Sequence, residues 1–265
     1  MSAFTLLELT GLTKRFETPS GSFIAVENVN ALIQDGEFVC ILGHSGCGKS
    51  TVLSIIAGLQ QATLGGVVID GKEVNAPGAD RSVVFQAPCL LPWLTARQNV
   101  ELAMKQAGQP AAARRSAVDK YLDLVGVADC ADQLPGELSL GTQQCVSLAR
   151  ALSVEPRFLL LDEPFSMLDS LTRFDLQDTL LDVWEQQRKT VVMVTHDVDE
   201  ALYLADRLIL MTDGPAATVG EILHVPFPRP RRRTDVLEHP QYYACHERVL
   251  AFLEHHARQS KADVA

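Results

Sequence analysis

Short apolar runs, separated by Gly, Pro and acidic turns, set the pattern of this chain. Residues 38–42, Phe-Val-Cys-Ile-Leu, carry no charged side chain and include β-branched members, which is the pattern of a buried strand. Similar short runs occur at residues 67–69, 82–85, 158–161, 190–195 and 207–211. Residues 6–9 begin a further strand, and the more polar residues 10–15 lead on to Phe16. Residues 25–33 alternate imperfectly and end in an Asp35-Gly36 turn. Asp70-Gly71 reads as a hairpin turn.

Helical character alternates with these runs. It is expected at residues 52–57, 99–107, 111–125, 197–205 and 242–257, and after Gly141. Pro88, Pro92, Trp93 and Pro110 interrupt regular structure between the third and fourth core strands. Residues 87–155 therefore read as a helix-rich lobe inserted in an α/β core. Residues 128–135 read as a connection, and residues 220–225 as a final strand before a Pro/Arg-rich segment and a helical tail.

The first chemistry-bearing stretch follows the strand at 38–42. Gly43-His44-Ser45-Gly46-Cys47-Gly48-Lys49, followed by Ser50 and Thr51, fits G-x-x-x-x-G-K-[ST] between a strand and a helix. The glycines allow the tight turns that let backbone amides face phosphate oxygens. Lys49 adds a point charge for the β- and γ-phosphates, and Ser50 a hydroxyl for Mg²⁺. His44 and Cys47 fill the variable positions, where loop shape and packing are their expected roles.

A second stretch, Phe158 to Pro164, delivers two carboxylates to the end of an apolar strand. Asp162 suits a Mg²⁺ shell, and Glu163 suits a water attacking a γ-phosphate. Gln86, directly after the 82–85 run, has the chemistry to touch metal or water at a strand end. Ser139 and Gly141 precede a helix, where a hydroxyl and amides can meet phosphate. Asp169 lies in the turn before another helix, with Met167 and Leu168 expected to pack. His196 ends the 190–195 run, where its imidazole can bond a γ-phosphate. Phe16 can stack on a nucleotide base or pack in the core.

Composition narrows the function classes. The 265 residues include 23 Lys plus Arg against 33 Asp plus Glu, a formal charge of −10, which argues against broad nucleic-acid binding. Arg229, Arg231, Arg232 and Arg233 form a local basic run, read as a solvated turn or linker. The six cysteines form no CxxC pair, and the histidines complete no zinc pattern, so a reduced compartment is expected. The uncharged stretch 50–69 is long enough to raise a membrane question. Its Gln, Thr and Gly residues read instead as helix, turn and strand, with no lipid insertion.

Taken together, the ordered motifs resemble those of the ATP-binding subunits of ABC transporters, over nearly the whole chain. Residues 43–51 look like Walker A, Gln86 the Q-loop glutamine, residues 159–163 Walker B with its catalytic glutamate, residues 166–169 the D-loop and His196 the switch histidine. Phe16 matches the base-stacking position. The segments PGADRSVVFQAPCLLPWLTARQNV, THDVDEALYLADR and VPFPRPRRR resemble the nitrate/sulfonate/taurine branch.

The resemblance implies a P-loop NTPase fold of ABC ATPase type, with an inserted helical subdomain at 87–155 and a small β-rich subdomain. It also implies an ATPase domain over residues 1–225 with a Pro/Arg-rich segment and helical tail at 226–265. It implies ATP and Mg²⁺ as cofactors and a second ATPase subunit. Integral membrane permease subunits, fed by an extracytoplasmic solute-binding protein, hold the pair at the cytoplasmic face of the membrane. Residues 86–99 would couple to the permease, with residues 90–94 as a candidate partner surface. The cargo would be a small anion, nitrate ranked slightly above sulfonates. The competing readings are a soluble ABC ATPase in nucleic-acid repair or translation, and a regulatory ATP-binding module.

One segment departs from the family. Its usual LSGG stands here as Leu138-Ser139-Leu140-Gly141, with Thr142 and Cys145 replacing a common Gln and Arg. Ser139 and Gly141 keep the simplest phosphate-contacting groups, while Leu140 adds bulk. A working but slower or asymmetric ATPase is expected.

Overall fold

The computed structural model describes residues 5–19 and 21–262. Two compact units emerge. One takes the chain up to Gly78 and again from Thr190 onward, and the other spans Ala79–Lys189.

The first unit holds two sheets. In one, β1 (Thr5–Thr18) and β2 (Gly21–Gln34) form a long antiparallel pair, joined by β4 (Leu64–Ile69) and β5 (Lys72–Glu73) in the order β2-β1-β4-β5. The more polar stretch 10–15, which leads on to Phe16, lies within β1. Its ladder to β2 absorbs several register shifts, and Gly11 takes a positive φ of 55°. Asp70 and Gly71 both have positive φ, as a tight hairpin between β4 and β5 requires.

The other sheet of this unit is built on β3 (Phe38–Leu42), which pairs in parallel with both β8 (Thr190–Thr195) and β9 (Arg207–Met211). β3 and β8 are buried along their whole length, which is why their sequences are unbroken apolar or β-branched runs. β10 (Val219–His224) pairs antiparallel to β9. Helix α1 (Lys49–Ile56) follows β3, and α6 (Val198–Leu204) follows β8 and packs against both strands. Helices α7 (Arg233–Leu237) and α8 (Tyr242–Ala262) close the chain. α7 was not expected, because five residues within a Pro/Arg-rich stretch carry no readable period.

The second unit pairs β6 (Arg81–Val84) in parallel with β7 (Phe158–Asp162). Between them run α2 (Ala96–Gln106), α3 (Ala111–Leu124) and α4 (Leu140–Ser153), and α5 (Ser170–Gln187) follows β7. Thr95 starts α2 through a capping box with Gln98, three residues earlier than the apolar period suggested. Among the described residues no helix is long and apolar enough to cross a membrane.

The Pro/Arg-rich segment differs from expectation. Arg231 is 7% exposed, not solvated. Its guanidinium donates to the carbonyls of Tyr203 at 3.0 Å and Ala205 at 2.6 Å, and to Phe227 at 3.1 Å. Arg229 donates to Asp206 at 2.9 Å. Clustered arginines read as solvated because charge avoids burial, but a planar five-donor group can be buried where several carbonyls converge.

Candidate functional site

Strand register places the functional residues of the first unit. Leu42 is the partner of Thr195 in the β3–β8 ladder, so Gly43 and His196 leave adjacent strands at the same end. Residues 43–48 then turn tightly, with Cys47 N–H donating to the His44 carbonyl at 3.3 Å and Gly48 at φ 91° capping α1. A Cβ at Gly48 would stand 2.4 Å from Val26, so both the backbone angle and the space demand glycine. Cys47 is buried and fills the loop from inside, within 2.6 Å of where a Gly43 Cβ would stand. Its thiol is raised above the ordinary range, chiefly by burial.

Lys49 is 5% exposed, folded over the loop it belongs to. Its ammonium donates to the carbonyls of Gly43 at 2.8 Å and His44 at 2.9 Å. Those two bonds leave a third N–H for an anion, and the first-turn amides of α1 have no partner within the helix. A phosphate supplies what this cradle lacks. Ser45, Gly46, Ser50 and Thr51 complete it, with Ser50 exposed at the second position of α1.

His44 does more than shape the loop. Its Nδ1 lies 2.8 Å from Asp213, so a residue two positions beyond the end of β9 pins the phosphate loop. Asp213 was missed because no spacing in the sequence ties it to His44. Phe16 is half-buried on β1, opposite Phe23, with the Lys14 ammonium 5.1 Å from its ring. It is not a core residue, contrary to one of the two readings of its sequence position. His196 is exposed, and the Asp197 N–H that follows it donates to the Thr195 hydroxyl at 3.1 Å.

In the second unit, the β6–β7 register runs to Val84 opposite Leu161. Gln86 and Glu163 each stand two residues beyond that pair and meet, Gln86 Nε2 donating to Glu163 Oε2 at 3.2 Å. Glu163 has a φ of 45°, a left-handed angle unusual for a side chain of its size. Its carbonyl accepts from the Ser166 hydroxyl at 3.0 Å, which holds the turn. Asp162, the last residue of β7, is half-buried. Asp162 and Gln86, both of this unit, offer oxygen donors, the chemistry a hard cation such as Mg²⁺ takes.

Ser139 caps α4, its hydroxyl accepting from Thr142 N–H at 3.1 Å and lying 2.8 Å from the Thr142 hydroxyl. Gly141 was expected ahead of the helix but belongs to its first turn, and a Cβ there would stand 3.2 Å from the Leu168 side chain and 3.6 Å from the Met167 carbonyl. Leu140 opens the helix and is 57% exposed. Further along α4, Gln144 donates to the Phe85 carbonyl at 3.0 Å, and Arg150 to the carbonyls of Cys89 at 2.9 Å and Pro88 at 3.1 Å. The serine-capped helix therefore grips the segment that carries Gln86. Sequence reading missed both residues, because a buried Gln and a half-buried Arg inside an amphipathic helix look like surface positions.

Asp169 caps α5, accepting from Leu171 N–H and Thr172 N–H at 3.1 Å and from the Thr172 hydroxyl at 2.7 Å. The bonds from Thr172, chiefly the hydroxyl, hold its carboxyl below the usual range. Leu168 is buried as expected, but Met167 is not a packing residue. It is 44% exposed. Trp93, in the expected partner surface at 90–94, is 70% exposed.

The comparisons agree with this chemistry. The family model for ABC transporters matches residues 26–166. The chain is 51% identical over 243 residues to the nitrate import ATP-binding protein NrtD of Synechococcus elongatus, covering 91% of this chain and 88% of that one. It is 47% identical over 249 residues to the bicarbonate transport ATP-binding protein CmpD of the same organism, covering 93% and 90%. Among solved structures, the dimeric, post-hydrolysis ATP-binding cassette MJ0796 bound to ADP and Pi is similar with a TM-score of 0.77 at 35% identity. That likeness covers 84% of this chain and all of the other.

Proposed function

Because the chain belongs to the ABC transporter family as an ATP-binding, ATP-hydrolysing subunit, we propose that it powers import of a small inorganic anion through a membrane permease. Nitrate and bicarbonate are the favoured cargoes, with sulfonates next. The observation that carries this reading is the near full-length similarity to both a nitrate and a bicarbonate import subunit.

In the proposed cycle, two copies or two related ATPase subunits face each other. Lys49, Ser50, Thr51 and the loop amides hold the triphosphate of ATP, with Phe16 against the base. Ser139 and Gly141 of the opposite subunit complete its phosphate contacts, and Asp169 supports that turn by capping α5. Glu163 orients the attacking water, and Gln86 and His196 respond to loss of the γ-phosphate. Ser50, Asp162 and Gln86 are the proposed Mg²⁺ ligands, and the ion when bound neutralises charge on the phosphates. The chain supplies alignment and charge stabilisation without a covalent nucleophile.

The segment from Gln86 to Asn99, with exposed Trp93 in its 90–94 stretch, is the proposed surface toward the permease. An extracytoplasmic binding protein would deliver the anion on the far side. Reconstitution with the native permease and binding protein tests the whole reading. ATP-dependent uptake is measured with nitrate, bicarbonate, cyanate and alkyl sulfonates in parallel. Uptake of nitrate or bicarbonate is expected. Failure to transport any of the four, with ATPase activity intact, would overturn the cargo assignment.

A further inference from the structure

The Pro/Arg-rich segment and the C-terminal helix have no part in the proposed cycle, yet they make specific bonds to α6. This helix begins two residues after His196 and packs against β3 and β8, the strands that end in the phosphate loop and in His196.

The tail holds α6 at both ends. At the C-terminal end, Arg231 donates to the carbonyls of Tyr203 and Ala205, and Arg229 to that of Leu204 at 2.5 Å. These are the carbonyls a helix end leaves without partners, so the two arginines serve as its cap. At the N-terminal end, Asp199 lies in the first turn of α6. Its Oδ1 accepts from the Tyr242 hydroxyl at 2.5 Å and stands 3.2 Å from Nε2 of His246, both residues of α8. The Tyr242 hydroxyl is pushed up by burial and by Asp199, so it keeps its proton and donates. The Tyr242 ring is itself seated 6.2 Å from that of Phe227.

The same brace reaches the base of the phosphate-loop strand. Asp206 accepts from Arg229 at 2.9 Å through Oδ1 and from Phe38 N–H, the first residue of β3, at 3.0 Å through Oδ2.

We propose that the C-terminal segment is an internal brace for the ATPase reaction, in which Tyr242 acts as a positioning residue that holds the first turn of α6, and with it the His196 turn, through Asp199. This inference rests on the role proposed for His196. Tyr242 touches no nucleotide. Its effect is on how often His196 occupies the productive position, so it enters kcat and not ATP affinity.

The test uses the full chain at saturating Mg-ATP. Tyr242→Phe keeps the ring packing and removes only the hydroxyl. A loss of roughly five- to ten-fold in kcat, the scale of one positioning hydrogen bond, is expected with the KM for ATP unchanged. Asp199→Asn keeps an acceptor and is expected to retain most of the rate, while Asp199→Ala should match Tyr242→Phe. The double variant Tyr242→Phe/Asp199→Ala should be no slower than either single variant. Full kcat in Tyr242→Phe, with or without a lower melting temperature, would overturn the brace. His196→Ala, run alongside, separates the two readings. If it lowers kcat while Tyr242→Phe does not, only the brace fails. If it leaves kcat intact, the role of His196 and the brace fall together.

Discussion

Gln86 donates to Glu163 at 3.2 Å because both leave a parallel strand pair at the same register, two residues beyond Val84 and Leu161. The bond gives the carboxylate a defined direction before any water is present. Glu163→Gln preserves shape and removes the negative charge that would draw a proton from that water. We expect kcat to fall by about 100-fold or more, the lower range for loss of a general base. ATP binding should be retained, because the phosphate loop is untouched. Steady-state hydrolysis together with nucleotide titration checks this, and an unchanged rate would remove Glu163 from its role.

Leu140 puts a large apolar side chain, 57% exposed, at the head of the helix that Ser139 caps. If that side chain slows closure on nucleotide, Leu140→Gly should raise transport-coupled turnover several-fold. The same change should lower stability by up to about 1 kcal/mol, the helix penalty of glycine. Rate and stability therefore move in opposite directions. Turnover that does not rise would show that Leu140 is accommodated without cost.

Legibility followed the type of information each residue carries. The strand runs at 38–42 and 190–195 were readable because both faces of those strands are buried, which leaves an unbroken apolar signature. The phosphate loop was readable because its glycines answer a local steric demand, as the close approach of Val26 to Gly48 demonstrates. Long-range pairings were not. Nothing near His44 points to Asp213, and nothing near Gln144 points to the Phe85 carbonyl, because such partners are set by strand register and helix packing. Arg231 was misread for the opposite reason. Its local composition describes an exposed linker, and only the converging carbonyls of α6 make burial tolerable.

Cysteine reactivity should divide by burial. Cys145 is pushed up to about 11, first by burial, and Cys40 and Cys47 are raised for the same leading reason. At about pH 8 roughly one Cys145 in a thousand is thiolate, and its access is blocked as well. Cys89 is exposed. Brief alkylation of the native protein with iodoacetamide, followed by peptide mass spectrometry, should label Cys89 well ahead of these three. Early labelling of Cys47 would mean that the phosphate loop opens readily.

The Asp169 cap carries a pH signature. Its carboxyl is held below the usual range by the Thr172 hydroxyl and nearby amides, so the folded state favours the ionised form. That stabilisation is present above the ordinary Asp range and is lost as pH falls through the lower, folded value. Asp169→Ala should therefore melt below the wild type at neutral pH, and the gap should narrow in acid. A gap that stays constant with pH would show that the charge of Asp169 does not matter to the cap.

Arg231 tests how firmly the tail belongs to the unit it docks on. Its side chain is 1% exposed, and its donors go to the carbonyls of Leu202, Tyr203, Ala205 and Phe227. Arg231→Met fills much of the volume but returns no donor, so buried acceptors lose their partners. Each such loss costs about 1–3 kcal/mol, and we expect about 3–5 kcal/mol in all once the weaker bonds are discounted. In a chain of this size that corresponds to a fall of roughly 8–15 °C in Tm. Arg231→Lys should recover little, because a single ammonium cannot span carbonyls that a planar fork reaches together. A melting temperature within about 2 °C of wild type for Arg231→Met would mean the tail is only loosely held in solution, its bonds to α6 contributing little.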